Sequence, residues 1–184
     1  MIKRIFDIIF AFIGVIILLP LLLLSWLIAG MDTNSNGLFL QERIGRFGKP
    51  FTIYKLRTMH FKTSAVSKTG AFLRKFKLDE FPQLLNVLQG TMSIVGPRPD
   101  VPGYYDKLEG EDRKILQLKP GLTSLAAIKY ANEEDLLNQQ ENPLQYNDTV
   151  LFPDKIKMNL HYYYHHTFFG DIKIVWQTLL AFFK

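Results

Sequence analysis

Residues 8–29 read IIFAFIGVIILLPLLLLSWLIA, a run of 22 residues without a charged side chain. A helix rises ~1.5 Å per residue, so this run is long enough to cross the ~30 Å hydrocarbon core of a bilayer. A signal peptide is the first alternative, but the apolar region of signal peptides usually spans only about 7–15 residues. The stretch therefore predicts a membrane helix near the N-terminus.

The charges that flank this helix favour a re-entrant path over a single crossing. Lys3 and Arg4 precede the apolar run, and basic residues also follow it, at Arg43, Arg46, Lys49, Lys55 and Arg57. Because basic residues mark the cytoplasmic side, both ends of the helix are expected there. Pro20 lies near the middle of the run and predicts a break at which the helix could turn back. A kinked helix that spans the membrane is the alternative that these residues leave open.

Composition limits the classes of protein and site that remain. The chain has 184 residues, a net charge of +5, 48 % hydrophobic residues and no cysteine. Disulfides and thiolate metal sites are therefore excluded, and a reducing cytosolic environment fits. The positive charge suits phosphates, nucleic acid or acidic lipid headgroups. We expect residues 1–31 to form the membrane anchor and residues 32–184 to form one cytoplasmic domain.

The remaining chain alternates short strand and helix patterns. Apolar residues at helical spacing, from Leu78 to a stop at Gly90, predict a helix whose polar face carries Asp79, Gln83 and Asn86. A final helix is expected with Asp171 as its N-cap and an apolar side that continues to Phe183. The other predictions are a β-hairpin from strands at 38–42 and 51–56, an extended segment at 92–95, a helix at 110–118 and a loop at 131–150.

Asp79 and Glu80 are the first candidates for chemistry. Adjacent acidic residues near a helix start are often ordinary capping residues, so a functional reading needs basic neighbours. Arg74 precedes the pair, and Arg98 follows the helix between Pro97 and Pro99. Because the prolines restrict the backbone of Arg98, its guanidinium loses little entropy when it binds a phosphate. The pattern predicts an acidic pair that works among phosphate-binding cations.

Two further groups carry less specific signals. Lys55 and Arg57 belong to the basic hairpin, which could attract lipid headgroups or bind a phosphate at the membrane surface. A cluster of His161, His165 and His166 could bind zinc, but packing is favoured because no His-Glu-x-x-His pattern is present. The sequence also lacks a P-loop, a G-x-G-x-x-G fingerprint and a G-x-S-x-G elbow.

Taken in order, these segments resemble the bacterial sugar transferases, the small monotopic phosphoglycosyl transferases that start glycan assembly on a polyprenyl phosphate. The resemblance covers nearly the whole chain and is most specific between residues 73 and 99. The matching segments are residues 3–7 (KRIFD), 41–45 (QERIG), 48–51 (GKPF), 54–59 (YKLRTM), 73–75 (LRK), 78–84 (LDEFPQL), 92–99 (MSIVGPRP) and 119–123 (KPGLT).

The resemblance implies a covalent mechanism. Asp79 would attack the phosphate next to the sugar of a UDP-sugar, UMP would leave, and a polyprenyl phosphate would then take the phospho-sugar. Glu80 would help to hold Mg²⁺, and the substrate phosphates or the nucleotide would be bound by Arg74, Arg98, Lys55 and Arg57. Arginines and a metal ion suit this chemistry because two anions must meet at an anionic phosphorus.

The resemblance also implies an architecture and a location. We expect an α+β, mainly helical monotopic membrane protein with a re-entrant helix broken at Pro20, a short β-hairpin and interfacial amphipathic helices. It would work at the cytoplasmic face of the bacterial inner membrane, on a phospholipid surface and without nucleic acid. Neither the sugar, the glycan pathway nor the oligomeric state is indicated by the sequence.

Some positions depart from the family pattern. Leu19 precedes the proline where relatives often have serine, Ala131 stands where an arginine is expected, and Asn159 stands where an aspartate is common. The last two departures put nucleotide or sugar contacts in doubt. They also motivate one alternative, an inactive partner of another transferase. A second alternative is a membrane-tethered basic module that binds acidic lipid or nucleic acid, although it does not explain Asp79 and Glu80.

Overall fold

The computed structural model describes residues 2–181 as a mainly helical protein with two small two-stranded sheets. The chain divides into two compact units. The first unit runs from the N-terminal helix through Arg43 and resumes at Pro50–Ile94. The second unit contains Ile44–Lys49 and the chain from Val95 onward. The expected helical architecture with a small β component is confirmed.

The N-terminal helix, α1, spans Ile2–Thr33. Its mean hydropathy is 3.0, and it is long and apolar enough to cross a membrane, the single such helix within residues 2–181. Most of its large apolar side chains are exposed, for example Ile17 at 69 % and Leu27 at 58 %. An aqueous helix would not expose so much apolar surface, so this side of α1 suits lipid.

Pro20 lies inside α1, and the helix continues through it from Ile2 to Thr33. The helix is therefore not interrupted at this proline, where the sequence predicted a break. The physical reason is that the φ angle of proline is itself helical, so the loss of one hydrogen bond to Ile16 need not end the helix.

A narrow strip of α1 packs on the rest of the first unit through small and polar residues. Ala11 and Ala29 are almost fully buried, and a Cβ atom added to Gly14 would lie 3.3 Å from Leu84. Arg4 donates hydrogen bonds to the carbonyls of Val87 and Leu88 at 2.6 and 2.9 Å. Near the other end of the helix, the hydroxyl of Ser67 donates to the carboxylate of Asp32. Both ends of α1 are thus held by the same unit.

The predicted β-hairpin is confirmed. Strand β1 spans Leu38–Ile44, strand β2 spans Pro50–Leu56, and they pair as one sheet. Helix α2 follows at Lys68–Lys75, in a stretch for which the sequence predicted no helix. Ser67 begins this helix, because its side chain accepts a hydrogen bond from the Gly70 amide at 2.8 Å.

The predicted helix that starts at Leu78 is divided in two. A 3₁₀ turn spans Leu78–Glu80, and helix α3 spans Gln83–Gln89, with Gly90 ending it in the left-handed conformation. The side of α3 that is buried is the polar one, because Asn86 is 1 % exposed and Leu85 is 45 % exposed. Strand β3, Ser93–Val95, is fully buried, as expected for this extended segment.

The second unit is built from short helices. The helices are α4 (Leu125–Lys129), α5 (Glu133–Asn138), α6 (Pro143–Tyr146), α7 (Phe152–His165) and α8 (Phe168–Ala181), and strand β4 (Gly121–Thr123) precedes them. Three 3₁₀ segments (Arg46–Gly48, Tyr105–Lys107 and Asp112–Gln117) and a π-helical turn (Asn147–Leu151) complete the unit. Its core joins Ile44, Tyr105, Leu108, Ile115, Leu116 and Ile156.

Three predictions for this unit need correction. Residues 131–150 are largely helical rather than a loop, and the helix predicted at 110–118 is a 3₁₀ helix of six residues. Asp171 is not an N-cap, because it lies inside α8, where it is 1 % exposed and accepts a hydrogen bond from the Tyr162 hydroxyl at 2.5 Å. The predicted contribution of Phe183 lies outside the described residues.

The turn that carries Arg98 is anchored by two glycines in close approach. A Cβ atom on Gly121 would lie 2.1 Å from the amide nitrogen of Gly96. The Gly96 amide donates to Thr123, and the Gly121 amide donates to Pro97 at 2.8 Å. Because no side chain fits between these backbones, both positions require glycine.

Candidate active site

The acidic pair sits in the 3₁₀ turn immediately before α3. Lys77 opens this turn in the left-handed conformation, with a φ of 53°. The amides of Glu80 and Phe81 then donate to the carbonyls of Lys77 and Leu78. Asp79 is 7 % exposed and Glu80 is 8 % exposed. Two buried neighbouring carboxylates repel each other, so the fold must supply compensating positive charge.

Strand β2 supplies one of these charges. The ammonium of Lys55 lies 3.2 Å from Oε1 of Glu80, and both side chains are largely buried. Helix α2 supplies Arg74, whose Nε donates to the Thr58 hydroxyl at 2.9 Å. The structure thus places five of the predicted catalytic and phosphate-binding residues in the first unit: Lys55, Arg57, Arg74, Asp79 and Glu80.

The environment of Asp79 changes its ionisation. Burial and the neighbouring Glu80 carboxylate raise the pKa of Asp79 to about 6, against the opposing effect of Lys55, Lys77 and Arg74. Oδ1 of Asp79 is buried and has no hydrogen-bond partner among residues 2–181. A carboxylate with an unoccupied oxygen and a raised pKa is a stronger nucleophile and base than an exposed aspartate.

Lys77 is a site residue that sequence reasoning missed. Its charge lowers the pKa of Asp79 together with the charges of Lys55 and Arg74. The available signal was its position two residues before the aspartate, a position that lies outside the apolar period of the helix. Its left-handed backbone conformation, which directs the start of the turn, could not be inferred from a lysine.

Asn86 joins α3 to the hairpin that carries Lys55. Its Nδ2 donates to the Thr52 carbonyl at 2.7 Å, and its Oδ1 accepts from the Tyr54 amide at 3.1 Å. The side chain therefore supplies β2 with the hydrogen-bond partners that a neighbouring strand would supply. Because Lys55 follows Tyr54, this contact sets the distance between the lysine and the turn that carries Glu80.

The residues fit a hard cation that is shared with a substrate. No group of three or more His, Cys, Asp or Glu side chains that could hold a metal ion is found within residues 2–181. Mg²⁺, however, is commonly held by one or two carboxylates together with substrate phosphates and water. Glu80 and the free oxygen of Asp79 provide such a partial set of oxygen ligands.

Arg57 is held differently from the other predicted cations. Its guanidinium lies 5.4 Å from the ring centres of both Phe39 and Phe61. Its Nε is buried and has no hydrogen-bond partner among the described residues. Two aromatic rings thus position a cation whose remaining donors can serve an anion.

Arg98 belongs to the second unit and is exposed in the turn after β3. Two of the three positions that were noted as departures, Ala131 and Asn159, lie in the same unit. Ala131 is exposed, between α4 and α5. Asn159 is 3 % exposed, and its Nδ2 donates to the Tyr105 hydroxyl at 2.9 Å. Asn159 is therefore an interior residue whose side chain joins α7 to Tyr105.

Two histidines of the cluster contact each other on helix α7. The rings of His161 and His165 stack with 4.4 Å between their centres, and Nδ1 of His165 contacts the His161 carbonyl at 2.9 Å. Both lie on the exposed side of α7. The part of the chain that the structure describes offers them no third metal ligand.

Comparison with known proteins identifies a family that this chain matches. A family model described as bacterial sugar transferase matches residues 1–184. A Bacillus subtilis protein that is provisionally named as an undecaprenyl-phosphate N-acetylgalactosaminyl 1-phosphate transferase is 42 % identical over 122 residues, which cover 60 % of this chain and 68 % of that protein.

Two other relatives match over nearly the whole chain. A Caulobacter vibrioides UDP-glucose:undecaprenyl-phosphate glucose-1-phosphate transferase is 34 % identical, over 96 % of this chain and 68 % of that protein. An Aeromonas hydrophila UDP-N-acetylgalactosamine-undecaprenyl-phosphate N-acetylgalactosaminephosphotransferase is 29 % identical, over 97 % of this chain and 43 % of that protein. The names of these relatives share an acceptor and a reaction type but differ in the sugar.

Proposed function

The chain belongs to the bacterial sugar transferase family, and on that premise we propose that it moves a sugar-1-phosphate from a UDP-sugar to polyprenyl phosphate. The reaction would be a first membrane step of glycan assembly, at the cytoplasmic face of the bacterial inner membrane. The observation that carries the proposal is the free, buried Oδ1 of Asp79 beside the charges of Lys55, Lys77 and Arg74.

In the first step, a carboxylate oxygen of Asp79 attacks the phosphorus that is bonded to the sugar. A new O–P bond forms, the P–O bond to the second phosphate breaks, and UMP leaves with that bond's electron pair. Lys55, Lys77 and Arg74 reduce the repulsion between the carboxylate and the anionic substrate. The aspartate must be ionised to attack, and its pKa of about 6 permits this at neutral pH.

In the second step, an oxygen of the polyprenyl phosphate attacks the same phosphorus. The bond to Asp79 breaks, and the carboxylate is regenerated as the lipid diphosphate-sugar is released. Covalent catalysis of this kind divides one difficult transfer into two displacements at one nucleophile. The site needs no separate base, because both attacking groups are already anions at neutral pH.

Glu80 would hold Mg²⁺ together with the phosphates of the UDP-sugar. When bound, the ion would stabilise negative charge on the phosphate oxygens. Lys55 keeps the Glu80 carboxylate in place through the 3.2 Å contact, so that its oxygens are positioned before the substrate arrives.

The membrane anchor supports a lipid acceptor. Arg4 and Asp7 near one end of α1, and Asp32 near the other, all bond to the first unit. A helix that crossed the bilayer would place its ends on opposite sides, where one compact unit could not hold both. We therefore propose a monotopic, re-entrant placement, in which the exposed apolar side of α1 enters the lipid from the cytoplasmic face.

Helix α8 would lie in the membrane interface. Its exposed side presents Phe169 at 81 %, Ile172 at 41 % and Trp176 at 62 %, with Lys173 among them. Large aromatic and aliphatic side chains with an adjacent lysine are typical of helices at the headgroup level.

The proposal is tested by UMP release from a panel of UDP-sugars in the presence of polyprenyl phosphate and Mg²⁺. We expect one or a few sugars to release UMP with the wild-type protein and none to do so with Asp79→Asn. If folded wild-type protein releases UMP from no sugar, the tethered binding module or the inactive partner becomes the better explanation.

The topology is tested by single cysteines, since the chain contains none. Ile2→Cys and Lys62→Cys occupy exposed positions at the start of α1 and in the loop after β2. In spheroplasts, where reagents reach only the periplasmic side, both should resist a membrane-impermeant thiol reagent, and both should react after lysis. Labelling of position 2 before lysis would contradict the re-entrant placement.

A further inference from the structure

Gln83 is buried three residues beyond the acidic pair, and its amide nitrogen is unused. It is the first residue of α3, one turn beyond Asp79, and it is 4 % exposed. Its Nε2 is buried and has no hydrogen-bond partner among residues 2–181. Buried side-chain amides nearly always have a partner, so this exception requires an explanation.

Asn86, on the same helix, shows what a structural amide looks like in this protein. Its Nδ2 donates to Thr52 and its Oδ1 accepts from Tyr54, so both ends of the amide join α3 to the hairpin. Gln83 makes no comparable contact through its Nε2. Because a buried donor without an acceptor destabilises the fold, packing alone does not explain why a glutamine occupies this position.

Asp79 carries an unused acceptor. Its Oδ1 also lacks a partner within the described residues, and Asp79 lies four residues before Gln83 on a helical backbone path, a spacing at which two side chains share a face. The two groups do not bond to each other. A ligand that both accepts a hydrogen bond and bonds to the carboxylate oxygen would satisfy both groups at once.

A phosphoryl group has this chemistry. Once its phosphorus is bonded to Asp79, its non-bridging oxygens remain as strong acceptors close to the aspartate. Their negative charge grows as the phosphorus passes between oxygens, and a fixed neutral donor stabilises such charge without repelling nearby cations. Side-chain amides of Asn and Gln serve this purpose at other sites of group transfer.

We propose that Nε2 of Gln83 is a catalytic hydrogen-bond donor to a non-bridging oxygen of the phosphoryl group as it moves onto and off Asp79. The inference rests on the proposed phospho-sugar transfer and adds a residue to its machinery. It assigns to α3 a direct role in the reaction, beyond supporting the turn that carries the acidic pair.

The test compares Gln83→Met and Gln83→Glu with the wild type. Methionine keeps the length of the side chain without the donor, and glutamate keeps its shape but presents a charge to the phosphate. Gln89→Met is the matched control, because Gln89 ends the same helix and is exposed. UMP release is measured with UDP-glucose and UDP-N-acetylgalactosamine, with and without polyprenyl phosphate, and thermal unfolding is recorded for each variant.

We expect Gln83→Met to lose about 100-fold in kcat with little change in KM, and Gln83→Glu to lose more. The UMP burst without lipid acceptor should slow by the same factor, because the donor acts in both steps. The unfolding temperature of Gln83→Met should equal or exceed that of the wild type, since an unpaired buried donor is removed. Gln89→Met should behave as the wild type.

Two results would overturn the inference while leaving the proposed function intact. One is a Gln83→Glu protein that retains kcat within about threefold of an active wild type. The other is a loss of activity in Gln83→Met that is matched by a lower unfolding temperature and is absent from Gln83→Glu. A folded wild-type protein that releases UMP from no sugar of the wider UDP-sugar panel would overturn the proposed function and this inference together.

Discussion

The ammonium of Lys55 lies 3.2 Å from Oε1 of Glu80, and this contact joins the hairpin to the turn that carries the acidic pair. Lys55 comes from β2 and Glu80 from the segment just before α3, 25 residues later in the chain. The same lysine also lowers the pKa of Asp79, against burial and the Glu80 charge that raise it. One cation therefore serves both carboxylates.

Lys55→Met should move the pH dependence of UMP release to higher pH. In the wild type we expect the rate to fall below a pH of about 6, where Asp79 takes up a proton and can no longer attack. Without the lysine the pKa of Asp79 rises further, because a favourable charge is lost. The measurement is the pH profile of UMP release at constant Mg²⁺.

Lys62→Met is the matched control for this change. Lys62 belongs to the same unit but is exposed in the loop after β2. Its removal should leave the pH profile unchanged. A Lys55→Met profile that coincides with that of Lys62→Met would show that Lys55 has no influence on the ionisation of the nucleophile.

Asp79→Asn should be more stable than the wild type at pH 7.5. The folded protein holds the Asp79 proton up to a pH of about 6, whereas an unfolded aspartate loses it near its ordinary pKa of 3.8. The folded state therefore binds more protons between these values, and wild-type stability decreases as the pH rises through them. Asparagine avoids this loss, which amounts to about 2–3 kcal/mol above pH 6.

The measurement is thermal unfolding of both proteins in detergent micelles at pH 7.5 and pH 4. The advantage of Asp79→Asn should be clear at pH 7.5 and should nearly vanish at pH 4, where both states of the wild type hold more of the proton. Asp135→Asn, on the exposed side of α5, should change stability by less than about 0.5 kcal/mol at either pH. An advantage that is equal at both pH values would rule out ionisation of Asp79 as its cause.

Asn86→Leu should destabilise the first unit and separate the hairpin from α3. The change leaves the Thr52 carbonyl and the Tyr54 amide without their partner inside the protein. Two partly buried backbone groups that lose a hydrogen bond cost about 1–3 kcal/mol together. The unfolding temperature and the rate of UMP release should both fall. Gln89→Met on the same helix should change neither. Full retention of stability would mean that the amide does not join these elements.

The strongest patterns in the sequence predicted their elements well. Residues 8–29 are apolar without interruption and the hairpin is bounded by glycine and proline, so local chemistry alone indicated α1, β1 and β2. The helices within residues 131–150 were missed because they have only six and four residues and no apolar period. Their boundaries depend on local caps, such as the Asn142 side chain that accepts from the Gln145 amide.

The sequence predicted which candidate residues lie close together in the chain better than it predicted their burial. The family resemblance pointed to Asp79, Glu80 and their cations, whereas periodicity placed the polar side of the helix opposite its apolar stripe. The structure buries that polar side, because Asn86 bonds to β2 and Glu80 is paired with Lys55. Contacts between segments that are distant in the chain decide this, and a helical period carries no information about them.

Gly70→Ala should disturb Arg74 without touching it. A Cβ atom on Gly70 would lie 2.1 Å from the Thr58 carbonyl oxygen, so the start of α2 must move away from Thr58. The Thr58 hydroxyl accepts the hydrogen bond from Arg74, and the displaced helix would carry this arginine with it. We expect a loss of about 2–3 kcal/mol in stability and a marked fall in UMP release.

In Gly170→Ala the nearest atom is the Thr167 side-chain oxygen at 3.0 Å, which can rotate, so that variant should retain both properties. Equal behaviour of the two variants would mean that the contact between Gly70 and Thr58 does not position Arg74.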